Sequence, residues 1–438
     1  MSFDPIAQSL SVLNRFAGSE MVHKLGIYKP AQHVVQRAVR EGFKASGVVA
    51  RQFKAAQKLL KPARLTPATE RPTAFDLNLS EEQQMVRDMT QRFAKEVMRP
   101  RAEEADNTCS TPGDFADQFA ELGLAQFVVP EALGGAATET SVVTQALIAE
   151  DLAYGDMGLA VGALAPVGVA SALTRWGSAA QQSRYLAAFA EDKIPNAALC
   201  IAEARPAFDP YNLRTRATVN GNGYEIHGEK ALVPLAQSAE LFLIAADLLG
   251  KGPSLFIVEA GTKGLSLRSE PAMGARAAAL GRLKLDGVRV GLDAIVGEAP
   301  GAVHYQDLVD LSRLAWCALA MGTGQAVLDY VIPYCNERVA FGEPISHRQA
   351  VAFMIANLAI ELESMRLLTL RAASRAEQGM SFHREAYLAH VLCAEKAVEI
   401  GTNGVQLLGG AGFIKDHPIE RYYRHLMGIA VMDGGVLL

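Results

Sequence analysis

The side chains that could do chemistry gather in the C-terminal third of this chain. Asn336-Glu-Arg-Val-Ala-Phe-Gly342 places an arginine three residues before an aromatic, with Gln349 seven residues further on. Gln406-Leu-Leu-Gly-Gly-Ala-Gly-Phe413 is rich in glycine, and Asp433 precedes Gly434-Gly435. An arginine is a planar, permanently charged fork that suits phosphate oxygens. Glycines let backbone approach a ligand, or they simply end a helix. A carboxylate is a general base once something positions it. Other chemistries lack their signatures: there is no GxxxxGK[ST], HExxH or GxSxG, and no GxGxxG after a strand. Gly322-Thr323-Gly324 sits in an apolar helical context, where close helix packing explains it. The nine histidines show no ligand spacing, so no metal site is expected. The five cysteines (Cys109, Cys200, Cys317, Cys335, Cys393) are scattered without a CxxC pair. They argue for a reduced, intracellular protein with neither a zinc site nor a disulfide frame.

The elements that must position these residues read as three blocks behind a basic extension. With 438 residues, 50% hydrophobic and 20% charged, the chain suits two or three domains with substantial cores and excludes collagen-like, disordered and disulfide-scaffold classes. The net charge of −5 hides an asymmetry: residues 1–75 hold 12 Lys and Arg against 4 Asp and Glu, and the rest holds 30 against 43. Ala31 to Lys61 reads as one basic amphipathic helix, followed by a linker broken at Pro62, Pro67 and Pro72. Such a helix lies on an anionic membrane surface, or packs on its own body or a sister subunit; an organellar transit peptide is a third reading. The basic tail has no interleaved aromatics and the body is acidic, which disfavours nucleic acid. No compact apolar run precedes a small-residue cleavage site, so the expected location is cytoplasmic, peripheral to the inner face of a membrane. Met157 to Thr174 is uncharged but contains Pro166, and predicts a buried helical segment with a turn rather than a span. A helix begins after Leu79 with Ser80 as N-cap and Glu81 and Glu82 in its first turn. Helical periodicity runs to about Asn196. At Ala198 it gives way to short β runs, with Asn220-Gly221-Asn222-Gly223 as a hairpin turn, and β character persists to Val296. Long helices return from about Ala302 to Leu408. This order is not the alternating βαβ pattern of a nucleotide-binding parallel sheet.

Further strings complete the pattern. Phe75-Asp-Leu-Asn-Leu-Ser-Glu-Glu-Gln-Gln84 precedes Arg87, Phe93-Ala-Lys-Glu96 and Pro100. Glu121-Leu-Gly-Leu124, Pro130-Glu-Ala-Leu-Gly-Gly135 and Trp176-Gly-Ser-Ala-Ala-Gln-Gln-Ser-Arg-Tyr-Leu186 follow, and Pro418-Ile-Glu-Arg-Tyr-Tyr-Arg424 comes late. In this order, and with the α–β–α arrangement, they resemble the acyl-CoA dehydrogenase superfamily over roughly residues 75 to 438. The resemblance implies a mainly α fold with a central β domain: an extension and linker (1–74), an N-terminal α domain (75–196), a middle β-barrel domain (197–300) and a C-terminal helical bundle (301–438). It implies FAD bound between subunits of a homo-oligomer, a dimer or tetramer, and electrons leaving to an electron-transfer flavoprotein. Arg338 matches the arginine that pairs with the FAD pyrophosphate, Phe341 and Gln349 its companions, and Gln406, Gly409 and Gly410 the segment that meets a neighbouring subunit's FAD.

Three departures from the family pattern stand out. The usual Thr-Glu-Pro-x-x-x-Ser-Asp segment is here Ala202-Glu-Ala-Arg-Pro-Ala-Phe-Asp209, which keeps Glu203 and Asp209 but loses a flavin-facing hydroxyl at Ala202. Lys230-Ala-Leu-Val-Pro-Leu235 puts Leu232 in place of the tryptophan near the ring and Pro234 in place of a second hydroxyl. Nine residues after Arg424, the family's Glu-Gly-Thr is replaced by Asp433-Gly434-Gly435. The resemblance implies that Asp433 removes the α-proton of an acyl-CoA, with Arg313 and Asp209 shaping the substrate site. The base position used by other members falls on Ser312, which cannot serve. An aspartate base is also similar to that of the nitroalkane oxidase branch, a flavin oxidase. The alternative from another class is a catalytically degenerate partner or assembly subunit. The chain stops at Leu438, five residues after Asp433, where relatives continue into a further helical segment, so it is either natively short or a partial record.

Overall fold

In the computed structural model, residues 78–137 and 140–438 are described; the expected basic helix at 31–61 and its linker lie outside them. The first helix, α1 (Glu81–Phe93), starts where Ser80 predicts. Ser80 Oγ accepts from the Gln83 amide at 3.1 Å, and the Gln83 side chain accepts from the Ser80 amide at 3.1 Å. This reciprocal pair satisfies two otherwise orphaned donors. A wider-wound turn (Ala94–Met98) leads into α2 (Arg99–Thr108), followed by α3 (Phe115–Ala120), α4 (Val142–Gly155), α5 (Met157–Trp176) and α6 (Ala179–Tyr185). α5 corrects the reading of 157–174: it is one continuous helix with Pro166 inside it rather than a segment with a turn. The proline forfeits one ladder bond, but every residue from Met157 to Leu173 is buried, and that packing holds the helix together. Among the described residues α5 alone has the length and apolarity to cross a membrane, and it is a core helix.

The β block has seven strands: β1 (Ala197–Cys200), β2 (Arg216–Asn220), β3 (Gly223–Val233), β4 (Leu241–Leu248), β5 (Gly252–Glu259), β6 (Leu265–Ser269) and β7 (Gly281–Gly291). Their order is β1-β4-β2-β3-β7-β6, with β5 also paired to β4. The hairpin falls where Asn-Gly predicts, with Asn220 opposite Gly223 and Gly221 at φ +59°. Strand β4 is buried on both faces. Phe242, Ile244 and Ala246 enter the core inside the sheet, while Leu241, Leu243 and Ala245 join the core shared with the helices. That explains its unbroken apolar run.

β1 and β2 both lie parallel to β4, and they share it end to end. Leu241–Ile244 pairs with β1, and Asp247–Leu248 with β2. The intervening residues 201–215 therefore leave the sheet and return to the same strand. Glu203 pins this excursion: its carboxylate accepts from the amides of Arg214 and Thr215 at 2.8–3.0 Å and from the buried Lys230 ammonium at 3.2 Å. Burial works to raise the Glu203 pKa, but the Lys230 charge and those amides outweigh it and hold the carboxyl below its usual range.

The C-terminal block is α7 (Tyr305–Glu337), a short hairpin β8 (Val339–Ala340) and β9 (Glu343–Pro344), α8 (Gln349–Glu377), α9 (His383–Leu408) and α10 (Ile419–Leu426). Gly322 lets α7 approach α4: a Cβ there would lie 1.9 Å from the Glu150 carbonyl oxygen. Helix packing is thus the role of Gly322, as its apolar context implies. All five cysteines are free thiols.

Candidate functional site

Asp433 sits on a loop held by α7. Ser312 Oγ accepts from the Gly434 amide at 3.0 Å, and Trp316 Nε1 donates to the Gly434 carbonyl at 2.8 Å. Ser312 and Trp316 are four residues apart, so both face one side of the helix. Ser312, which cannot be a base, instead clamps the peptide that follows the candidate base. Between them Arg313 brings Nε to 3.4 Å from Asp433 Oδ1. The two are in charge contact without hydrogen-bond geometry: both atoms are buried and lack a hydrogen-bond partner among the described residues. Burial raises the Asp433 pKa above the ordinary carboxylate value, Arg313 works against that rise, and nearby Asp209 adds to it. Asp433, Arg313 and Asp209 therefore lie in one cluster.

The surrounding shell is not legible in the sequence. The Tyr211 ring lies under the Arg313 guanidinium and packs edge-on against Tyr305, whose hydroxyl donates to the Pro210 carbonyl at 3.0 Å. Arg313 Nη1 also lies 3.6 Å from Asp310, and Asp310 takes a 2.9 Å contact from His383. Burial, with the Arg313 charge beside it, pushes His390 down to about 4. Tyr211, Tyr305 and His383 come from three separate elements with no local spacing to link them; only Asp310, three residues before Arg313, carries a helix-face signal.

The expected cofactor residues form a second site on α7–α9. Arg338, Phe341, Gln406, Gly409 and Gly410 line one cavity of about 830 Å³ together with Arg348. Gln349 is exposed as the first residue of α8, directly after Arg348. Phe341 is 96% exposed and held at φ +55°, a conformation costly for an aromatic residue and common where function imposes it. A Cβ at Gly409 or Gly410 would meet nothing within 4 Å, so backbone is open to a ligand there. The Arg338 side chain has no carboxylate partner among the described residues. A free guanidinium, a second arginine, an exposed aromatic and bare glycine backbone fit the pyrophosphate and adenosine end of FAD.

The ring end does not fit in this conformation. Over Ile201 and Pro234, at the two flavin-facing stretches, lies the segment Gly434–Gly435. The Gly435 amide donates to the Leu199 carbonyl at 2.9 Å. A Cβ on Gly434 would come within 3.0 Å of the Ile201 amide, and one on Gly435 within 3.1 Å of Pro234 Cγ. A planar ring needs about 7 Å between the atoms on its two faces. Both glycines are at positive φ (84° and 80°), which suits this close path. Val436, Leu437 and Leu438 follow it into the core, buried to 4% exposure or less. Ala202 and Pro234 are themselves buried, and the Leu232 amide is taken by Glu270 at 2.7 Å.

Comparison with known proteins agrees with this architecture. Residues 80–193, 198–288 and 301–435 match, in order, the N-terminal, middle and C-terminal domains of acyl-CoA dehydrogenases. The chain is 33% identical over 357 residues to cyclohex-1-ene-1-carbonyl-CoA dehydrogenase of Geobacter metallireducens, covering 79% of this chain and 93% of that one. It is 32% identical over 372 residues to the short-chain specific acyl-CoA dehydrogenase of Bos taurus mitochondria, covering 82% and 88%. In three dimensions it is similar to butyryl-CoA dehydrogenase from Megasphaera elsdenii, with a TM-score of 0.74 at 26% identity over 81% of this chain and 95% of that one.

Proposed function

Since the chain belongs to the acyl-CoA dehydrogenase family, whose members use FAD, we propose that it oxidises an acyl-CoA thioester to the trans-2-enoyl-CoA, with Asp433 as the base. The observation that carries this reading is Asp433 buried beside Arg313 on a loop clamped by Ser312 and Trp316. The Asp433 carboxylate accepts the α-proton as the Cα–H bond breaks and the Cα=Cβ bond forms. Its desolvation makes it a stronger base than an exposed aspartate, and the Arg313 charge keeps it ionised. FAD would supply the acceptor for the hydride that leaves the β-carbon, once Gly434–Gly435 moves off Ile201 and Pro234. Arg338, Phe341, Gln349, Gln406, Gly409 and Gly410 would hold its phosphate and adenosine end. Phe341, as an exposed aromatic on that surface, suits a site shared between copies of the chain, in a dimer or tetramer. An electron-transfer flavoprotein is the proposed acceptor of the electrons.

One observation favours a second reading. The contact of Gly434–Gly435 with Ile201 and Pro234, added to the missing hydroxyls at Ala202 and Pro234, suits a catalytically silent subunit of the same family. The purified full-length protein decides between them. A yellow protein whose flavin spectrum bleaches anaerobically with acyl-CoA supports the dehydrogenase; a colourless protein that takes up no added FAD supports the silent subunit.

A further inference from the structure

At the outer edge of the Asp433 site, next to Asp310, the starts of α7 and α9 bring two histidines and an aspartate together. His304 precedes α7, Asp307 lies in its first turn, and His383 opens α9. His304 Nδ1 is 3.0 Å from Asp307 Oδ2, and His383 Nε2 is 3.6 Å from Asp307 Oδ1. One ligand atom from each lies within 4.8 Å of the others. His304 and Asp307 are three residues apart, but only tertiary packing brings in His383, so sequence spacing does not show the group.

We propose that His304, Asp307 and His383 bind a divalent transition cation, zinc foremost, with water completing the shell. The argument rests on His383. Its Nδ1 meets the buried Asp310 carboxylate at 2.9 Å, which orients the ring. Nε2 faces the Asp307 carboxylate at 3.6 Å, beyond hydrogen-bond distance. That separation is of the size two ligand atoms of one cation take, and the His304 ligand atom lies within 4.8 Å of both. A histidine whose far nitrogen donates to a carboxylate is the usual outer-shell arrangement of a metal ligand. Tetrahedral zinc with bonds of about 2.0–2.1 Å sets its ligand atoms about 3.3 Å apart, so small side-chain movements close the site. His304 is the most exposed of the three, at 64%, and leaves an open side for water. Two arginines oppose the cation's charge: the half-buried Arg175 faces Asp307, and Arg313 lies 3.6 Å from Asp310. A cation bound here ties the start of α9 to the start of α7.

The test is metal binding by the full-length protein, with Zn²⁺ and Co²⁺ as probes. Dialysed wild type should take up one more equivalent of Zn²⁺ than His383→Gln or His304→Gln. Its Co²⁺ form should show the visible bands of a four-coordinate site, which both variants lose. Asp310→Asn should weaken Zn²⁺ binding by about 10- to 100-fold. His304 is at the surface, so His304→Gln folds and keeps the test decisive even where His383→Gln does not. Equal Zn²⁺ uptake by wild type and His304→Gln overturns the proposal. So does a wild type that binds none; a protonated His383 would then bridge the two aspartates.

Discussion

Asp433→Asn separates catalysis from stability. In the folded chain Asp433 Oδ1 is buried without a hydrogen bond among the described residues, 3.4 Å from Arg313 Nε. Leaving such an acceptor unsatisfied costs about 1–3 kcal/mol, and the Arg313 charge returns part of it. Asparagine removes the buried charge, while Arg313 keeps Asp310 at 3.6 Å. The variant should therefore be as stable as wild type at neutral pH, or more stable by about 1 kcal/mol, roughly 2 °C in melting temperature. The pH dependence carries a sign. Burial holds the folded pKa of Asp433 above its ordinary 3.8, so its contribution to stability is full below 3.8 and is lost as pH rises through the folded pKa. Asparagine has no such loss, so the melting difference in favour of the variant should widen as pH increases. Thermal melts across that range measure it. Acyl-CoA bleaching of the flavin should slow by about 10²- to 10⁴-fold. A variant that is less stable by the same amount at every pH, or one that bleaches at the wild-type rate, refutes the reasoning.

Arg338→Ala should weaken FAD retention by roughly ten- to a hundredfold, the worth of a charge-assisted phosphate contact; fluorescence titration of the apoprotein measures it, and unchanged affinity removes Arg338 from the site. Glu203→Gln should destabilise by about 3–5 kcal/mol, because it strands the Lys230 ammonium, whose side chain is 0% exposed. Denaturant unfolding at neutral pH reads that loss; burial pushes Lys230 down only to about 8, which leaves it charged there, so a change under about 1 kcal/mol would refute a charged Lys230 in the fold. Binding of the full-length protein to anionic vesicles should fall with added salt and vanish when residues 1–62 are deleted; unchanged binding points to the body instead.

Local signals are the most legible. The Ser80 cap, the Asn-Gly hairpin and the change of period at Ala198 each rest on neighbours in the chain, and each appears where expected. Arg338, Phe341, Gln406 and the two glycines converge because short strings at helix ends carry them. Pro166 misleads because local propensity marks it as a breaker, while burial on every side keeps α5 whole. In the sequence Ser312 shows only the lack of a base; its bond to the Gly434 amide depends on a loop 122 residues away. His383 joins His304 and Asp307 from just as remote a place in the chain.

The shared edge of β4 has an evolutionary consequence. Because β1 and β2 pair with the same strand, residues 201–215 begin and end at fixed points of one rigid rail. Lengthening such an excursion costs little, since closure entropy grows only with the logarithm of length. The segment bearing Asp209 and Tyr211 can thus be exchanged as a cassette, and specificity can drift there while the register of the sheet stays untouched.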